Sequence, residues 1–310
     1  MKWEPSDGLI RRLLAQVGLG DPGSIRKIGI GFSNHIYSID DRYILKVGKS
    51  EEDDEPLRRE IHLCRLLRDR VPAPKIAASG SSDALIGRTF VIYHKIAGEN
   101  LYGRWHLFDD LQRRDLTRQI CGILRSINEA PYRGFVEAFG IDGTQSWCDR
   151  MCASINGYLE KTHAQGFLSP EMIAKTRCFL ERNADVLRYE KKALTHCDPH
   201  FDNLLVSGEE IVGIVDFEGT DVMSIDYVLD LVARMVRQPR KYASEQSEPF
   251  VKAEDYAKLL HWYEEFYPEA FAFPDLDRRL AIYAVEHSVE EIFYYPRGEE
   301  ARRELAGYVG

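Results

Sequence analysis

The residues best suited to chemistry lie between Leu194 and Glu218, in LTHCDPHFDNLLVSGEEIVGIVDFE, where His196, Asp198, Asn203 and Asp216 stand among short apolar runs. Leu204 to Val206 and Ile211 to Phe217 read as strands, and Ser207-Gly208-Glu209-Glu210 reads as the turn of a hairpin. In that hairpin Asp198 and Asn203 lead into the first strand and Asp216 leaves the second, all at one end of the ladder. Two carboxylates and an amide oxygen at one rim suit Mg²⁺, which takes a few hard oxygen ligands and shares the rest with phosphates and water. One carboxylate is then free to act on a hydroxyl. The plainer alternative is a hairpin that carries Asp and Asn at its turns for structural reasons alone.

The elements ahead of this block must position it. Residues 6 to 17 place Leu9, Ile10, Leu13, Leu14 and Val17 at helical spacing behind a Ser6 or Asp7 cap, with Gly18 as the stop. From Ile25 to Gly48, alternation and turn residues predict three antiparallel strands, with turns at Gly29 to Asn34 and at Asp40-Asp41. The first turn can bring backbone N–H groups close to phosphates because its glycines lack a Cβ, although a plain hairpin turn explains it as well. Lys46 falls on the third strand, and Glu60 on the following helix PLRREIHLCRLLRD, which Pro56 opens; a solvated helix face is the alternative for Glu60. Pro72 and Pro74 hold VPAPKIAASG extended, and RTFVIYHKIAGENL is β-rich until its periodicity lapses at Ala97-Gly98.

Beyond Leu101 the pattern is helical. Leu116, Ile120, Ile123, Leu124 and Ile127 share one face, and QSWCDRMCASINGYLEKTHAQ and SPEMIAKTRCFLERNADVL supply two more helices, the second with Ser169 as cap and Pro170 at its first position. Two further helices, around DYAKLLHWYEEFY and RRLAIYAVEHSVEEIFYY, close the chain. Glu286 and Glu290 are one turn apart on the last, where they face either an acceptor or solvent.

The order H-x-D-x-x-x-x-N, followed by an apolar strand ending in D-F, resembles the catalytic and metal-binding loops of the protein-kinase-like fold. More narrowly it resembles the aminoglycoside phosphotransferase and choline kinase family, with some likeness to the 2″-aminoglycoside and hygromycin kinases. The likeness covers most of the chain, since turn, lysine, glutamate, hinge and loops follow in that family's order. It implies an α+β, two-lobed kinase-like fold, with a β-rich nucleotide-binding lobe over residues 1–97 and a mainly helical catalytic and substrate-binding lobe over 98–310. It further implies that Gly31, Ser33 and Asn34 lie over the phosphates of ATP or GTP, that Lys46 contacts them, and that Glu60 holds Lys46. Asn203 and Asp216 would bind Mg²⁺, and Asp198 would deprotonate the acceptor hydroxyl. His196 and Asp230 would hold the catalytic loop. The segment SIDYVLDLV carries Asp226 and Asp230 of the family's G-D-P-x-x-D-L-A signature, but Ile225 replaces its glycine and Tyr227 its proline, which puts the turn's shape in doubt. Tyr93 would line the back of the base pocket, with the His94 carbonyl and the Ile96 N–H at the base edge; a plain core aromatic on a strand is the alternative for Tyr93. A bulky ring there resembles the 2″-kinases, several of which use GTP, so GTP is expected to serve at least comparably to ATP.

Composition narrows the partners. The 310 residues carry a formal charge of -9, which argues against nucleic acid and fits a cationic small molecule. Six cysteines, Cys64, Cys121, Cys148, Cys152, Cys178 and Cys197, form no CxxC pair and read as thiols of a reducing cytoplasm. No apolar run is long enough to cross a bilayer, and MKWEPSDGLIRRLLAQ has acids and a proline where a signal peptide needs an apolar core. A soluble cytoplasmic monomer with a small-molecule acceptor is expected. By resemblance its activity is transfer of a γ-phosphate to a hydroxyl of an aminoglycoside-like antibiotic, a resistance function. A macrolide, choline, homoserine or sugar kinase, or a non-catalytic nucleotide-binding module, are the alternatives. A protein kinase is disfavoured because no activation segment fits between Asp216 and Asp226. Arg234, Arg237, Arg240 and Lys241 bear on the acceptor: if they face the pocket, a neutral or anionic compound is favoured.

Overall fold

The computed structural model describes residues 3–28, 33–243 and 247–310, so the expected phosphate contact at Gly31 lies outside the described residues. The amino-terminal region is built on a five-stranded antiparallel sheet, β1 Ile25–Lys27, β2 Asn34–Ile39, β3 Tyr43–Gly48, β4 Ile76–Ser81 and β5 Thr89–His94, in the order β1-β2-β3-β5-β4. Asp40 and Asp41 turn the β2–β3 hairpin, both in the left-handed region that a short polar side chain tolerates (φ 51° and 53°). The two-residue period sorts β5 cleanly. Phe90 and Ile92 pack with Ile10, Leu13 and Leu14 of helix α1 (Asp7–Gln16), whereas Val91 and Tyr93 pack with Leu57, Ile61 and Cys64 of helix α2 (Asp54–Leu67) on the other face. The same alternation on β3 sends Leu45 and Val47 to α1 and leaves Lys46 buried on the α2 side, beside Glu60.

The rest is mainly helical: α3 Leu101–Trp105, α4 Asp110–Asn128, α5 Arg133–Phe139, α6 Trp147–Ala164, α7 Pro170–Asn183, α8 Val228–Arg237, α9 Leu259–Phe266, α10 Pro268–Phe271, α11 Leu276–Tyr294 and α12 Glu299–Val309. Side-chain oxygens cap three of the long ones: Asp109 and Gln112 form a capping box on α4, and Ser146 and Ser169 bond the first turns of α6 and α7. The last helix is not legible from its sequence. Pro296 and Gly298 interrupt α11, and Ala301, Leu305 and Val309 then bury one side of α12 against α7 and α11.

Two small sheets hold the chemistry-bearing segment. β6 (Glu99–Asn100), β8 (Leu204–Ser207) and β9 (Glu210–Ile214) form one, and β7 (Lys192–Thr195) pairs antiparallel with β10 (Asp221–Ser224) in the other. The hairpin is present, but its second strand stops at Ile214 and not at Phe217. Asp216 adopts a left-handed backbone (φ 66°), and the Val215 carbonyl is taken by the His196 ring, so the extended ladder cannot continue. Gly98 marks the crossing between the two regions, where its backbone presses on this hairpin. A Cβ there would come within 2.7 Å of Val212 Cγ2 and 3.1 Å of Leu205 Cβ. A single apolar core runs through α2, β5, α4, the catalytic hairpin, α8 and α9, joining sheet to helices.

Candidate active site

The catalytic loop spans the gap between β7 and β8, and hydrogen bonds to two imidazoles shape it. His196 is buried; its Nδ1 accepts the Asp198 N–H at 3.2 Å, which leaves the proton on Nε2 to donate to the Val215 carbonyl at 3.1 Å. Burial pushes the pKa of His196 down, which keeps the neutral tautomer these bonds need. The loop is thereby tied to the backbone next to Asp216. Asn203 spends its Nδ2 on Asp198, 2.8 Å from the backbone carbonyl and 3.3 Å from Oδ2. His200, which the sequence reading passed over, accepts the Asp202 N–H at Nδ1 and so turns its Nε2 toward the same Asp198 oxygen, at 3.5 Å. Its signal was the second histidine of H-C-D-P-H, two residues beyond the aspartate. Asp198 is thus aimed from its Oδ2 side, while about half of its side chain stays accessible.

The second cluster forms around Lys46. Its Nζ lies 2.9 and 3.1 Å from the two Glu60 oxygens, 3.2 Å from Asp216 Oδ1 and 3.5 Å from Glu218 Oε1. Burial alone would lower the lysine pKa, but Glu60, Asp216 and Glu218 together drive it upward and keep the ammonium charged. Asp216 moves the other way: burial pushes up, and the neighbouring Lys46 outweighs it, so the carboxylate stays ionised. Glu218 is pushed up to about 7, by burial first and by Asp216 and Glu60 against the pull of Lys46. Three contacts here lie beyond the sequence reading. The Tyr93 hydroxyl donates to Glu60 Oε1 at 2.9 Å, the Asn34 amide donates to Glu218, and Glu60, Asp216 and Glu218 offer oxygens within 4.8 Å of one another. Asn34 is buried and engaged with that acid. The donor set suits Mg²⁺: with its Nδ2 spent, Asn203 has its amide Oδ1 to offer beside the Asp216 carboxylate.

These groups divide two cavities. A cleft of about 340 Å³ lies under the sheet, with Ile28, Ile36 and Ile44 above and Leu205 and Val215 below. Tyr93, His94, Lys95 and Ile96 wall it at one side, and Lys46, Asn203 and Asp216 at its inner end. A larger cavity of about 670 Å³ opens on Asp198 and His200 and is walled by α8 and α11. Glu290 lines it, bonded to the Tyr158 hydroxyl at 2.6 Å. Glu286 does not. It lies buried behind Tyr227, bonded to Ser154 Oγ at 2.7 Å and to the Tyr227 hydroxyl at 3.0 Å, and burial raises its pKa. Arg234 and Lys241 line the cavity, whereas Arg237 and Arg240 do not; Arg237 pairs with Glu304 on α12 at 2.8 Å.

The two aspartates of the SIDYVLDLV segment have separate work. Asp226 is fully buried and takes Arg279 of α11 at 2.6 Å and the Tyr283 hydroxyl at 2.8 Å. Asp230 accepts Arg234 Nε at 2.8 Å, and among the described residues no backbone N–H of the catalytic loop reaches it. Its expected hold on that loop is therefore replaced by a hold on a cation of the cavity wall.

The chain is similar over nearly its whole length to aminoglycoside phosphotransferase APH(2″)-IIa in its gentamicin complex (18% identity, 99% of this chain and 97% of that one, TM-score 0.72). It is also similar to ADP-bound APH(2″)-Ib (20% identity, 97% and 96%, TM-score 0.69) and to a thermostable mutant of APH(4)-Ia with AMP-PNP and hygromycin B (15%, 97% and 97%, TM-score 0.67). These likenesses establish the α+β kinase-like fold. No curated protein matches the sequence significantly. The model of the phosphotransferase enzyme family matches residues 24–272, and with that match the chain belongs to the phosphotransferase enzyme family.

Proposed function

We propose that the protein is a small-molecule kinase that moves the γ-phosphate of a nucleoside triphosphate onto an acceptor hydroxyl, with Asp198 as the base. The observation that carries this is the link between the two cavities: Asn203, on the wall of the cleft under the sheet, donates to the backbone carbonyl and to Oδ2 of Asp198, on the wall of the cavity beyond it. A flat base fits between Ile28, Ile36 and Ile44 on one side and Leu205 and Val215 on the other. Lys46, held by Glu60, then meets the phosphates. Mg²⁺, when bound by Asn203 and Asp216, supplies neutralising charge for the phosphate oxygens. Asp198 accepts the hydroxyl proton as the oxygen attacks in line. Little more is required, because transfer of this kind depends on positioning and charge.

In this reading residues 1–97 form the nucleotide lobe and 98–310 the acceptor lobe of a monomer, and GTP serves as well as ATP. Aminoglycosides, held by the similar APH(2″)-IIa and APH(4)-Ia, are the first acceptors to test, with a resistance role following from turnover. A second reading, a neutral or anionic acceptor, is favoured by Arg234 and Lys241 on the cavity wall. The test is nucleoside diphosphate release with each acceptor class, in wild type and in Asp198→Asn. The isosteric amide keeps the packing and removes the base, so a loss on the order of 10²-fold or more in kcat is expected. Wild-type turnover by this variant would sink the assignment.

A further inference from the structure

We propose that Arg234 selects the acceptor, and that the cavity beside Asp198 takes a hydroxylated ring compound bearing one anionic group, such as a carboxylate, in preference to a polycation. The inference deepens the kinase reading and rests on it. Arg234 projects from α8 with 12% of its side chain exposed. Nε is spent on Asp230 at 2.8 Å and Nη1 on the Tyr242 hydroxyl at 2.7 Å, with His287 Nε2 packed 3.1 Å from Nη1. Nη2 makes no hydrogen bond to any described residue. A guanidinium fixed on three sides, with a donor edge left over on a cavity wall, is preorganised for a carboxylate.

The cavity's acids are largely spoken for. Asp230 belongs to Arg234, and Glu291 holds Lys241 at 2.7 Å. Glu286 is withdrawn behind Tyr227. Of the lining carboxylates, Glu290, which already accepts from Tyr158, and the base Asp198 have no Lys or Arg partner among the described residues. A polycation entering here would set its ammonium groups against Arg234 and Lys241, and like charges meeting in a partly desolvated site disfavour the complex. The mouth is aromatic instead: Tyr294, 60% exposed, and Tyr295 line it, and aromatic side chains suit the C–H edges of a ring.

Three sugars that share one ring isolate the charge: D-glucuronate, D-glucose and 6-amino-6-deoxy-D-glucose, with kanamycin as the polycation. Binding to the full chain is measured by calorimetry with Mg²⁺ and a non-hydrolysable nucleoside triphosphate present, and transfer by diphosphate release. Glucuronate is expected to bind tightest and the aminosugar and kanamycin weakest, with roughly tenfold or more between the extremes, as for one hydrogen bond between charged groups. Arg234→Gln should collapse that order and Arg234→Lys should restore part of it, with thermal unfolding confirming that both variants fold. Tighter binding of the aminosugar or kanamycin, equal binding of the three sugars, no binding by any of them, or an unchanged order in Arg234→Gln each overturns the proposal. The two readings separate: rapid phosphorylation of kanamycin ends this inference and leaves the kinase, whereas the predicted charge order in binding, with no transfer to any of the four compounds, upholds the charge preference of the cavity and counts against transfer at Asp198.

Discussion

Replacing Glu60 with glutamine tests the phosphate end of the site most directly. The Glu60 side chain is 1% exposed and that of Lys46 11%, and both carboxylate oxygens lie within 3.1 Å of the ammonium, so the pair is almost wholly desolvated. Breaking such a pair by removing one partner costs about 3–5 kcal/mol. Here Asp216 at 3.2 Å and Glu218 at 3.5 Å remain to compensate the lysine, which reduces the expected loss to about 1–3 kcal/mol. A fall in Tm of roughly 2–6 °C follows for a chain of this size. The functional cost is separate. Without Glu60, Lys46 leans on Asp216, the carboxylate assigned to Mg²⁺, so affinity for the Mg²⁺–nucleotide complex should drop about 10- to 100-fold. Tyr93→Phe removes one neutral donor from the same carboxylate and should cost only about 1 kcal/mol. Thermal unfolding and calorimetric nucleotide titration of both variants provide the check. Unchanged affinity in Glu60→Gln, or a larger loss in Tyr93→Phe than in Glu60→Gln, would refute the view that Glu60 limits the hold of Lys46 on the metal ligand Asp216.

Asp216→Ala should abolish the Mg²⁺ dependence of nucleotide binding, because Asn203 alone is a neutral and weak ligand; equal affinity with and without Mg²⁺ removed would confirm that loss, and a retained Mg²⁺ response would contradict it. For the donor, the Tyr93 ring is pinned by its bond to Glu60 and narrows the back of the cleft, so kcat/KM for GTP should at least match that for ATP. A preference of wild type for ATP by about tenfold, roughly 1.4 kcal/mol, unaltered in Tyr93→Ala, would dismiss the gatekeeping role. Glu291, beside His287 and Lys241, is held down to about 2. Its contribution to stability is therefore complete above the ordinary glutamate value near 4.5 and is lost as pH falls toward 2, and Glu291→Gln should flatten acid unfolding across that window by about 1–3 kcal/mol.

What the sequence determined by itself was local or short in reach. The spacing of His196, Asp198, Asn203 and Asp216 on one hairpin already gathers them at one rim, because a ladder and its turn leave little choice of geometry. The pairing of Lys46 with Glu60 was legible only through the family resemblance, since strand alternation does not say which face the helix covers. The pairings that crossed long stretches of chain were decided by tertiary structure alone. Asn34 meets Glu218 across 184 residues, and the Tyr93 hydroxyl finds Glu60 only because β5 lies directly under α2. Helical period could place Glu286 and Glu290 on one face and could not say that Tyr227 would screen the first from the cavity. Nor could it separate Arg234, walled into the cavity by Asp230 and Tyr242, from Arg237, drawn outward by Glu304 on a helix the pattern did not reveal. A period fixes which residues share a face, and the packing of elements distant in sequence fixes what that face meets.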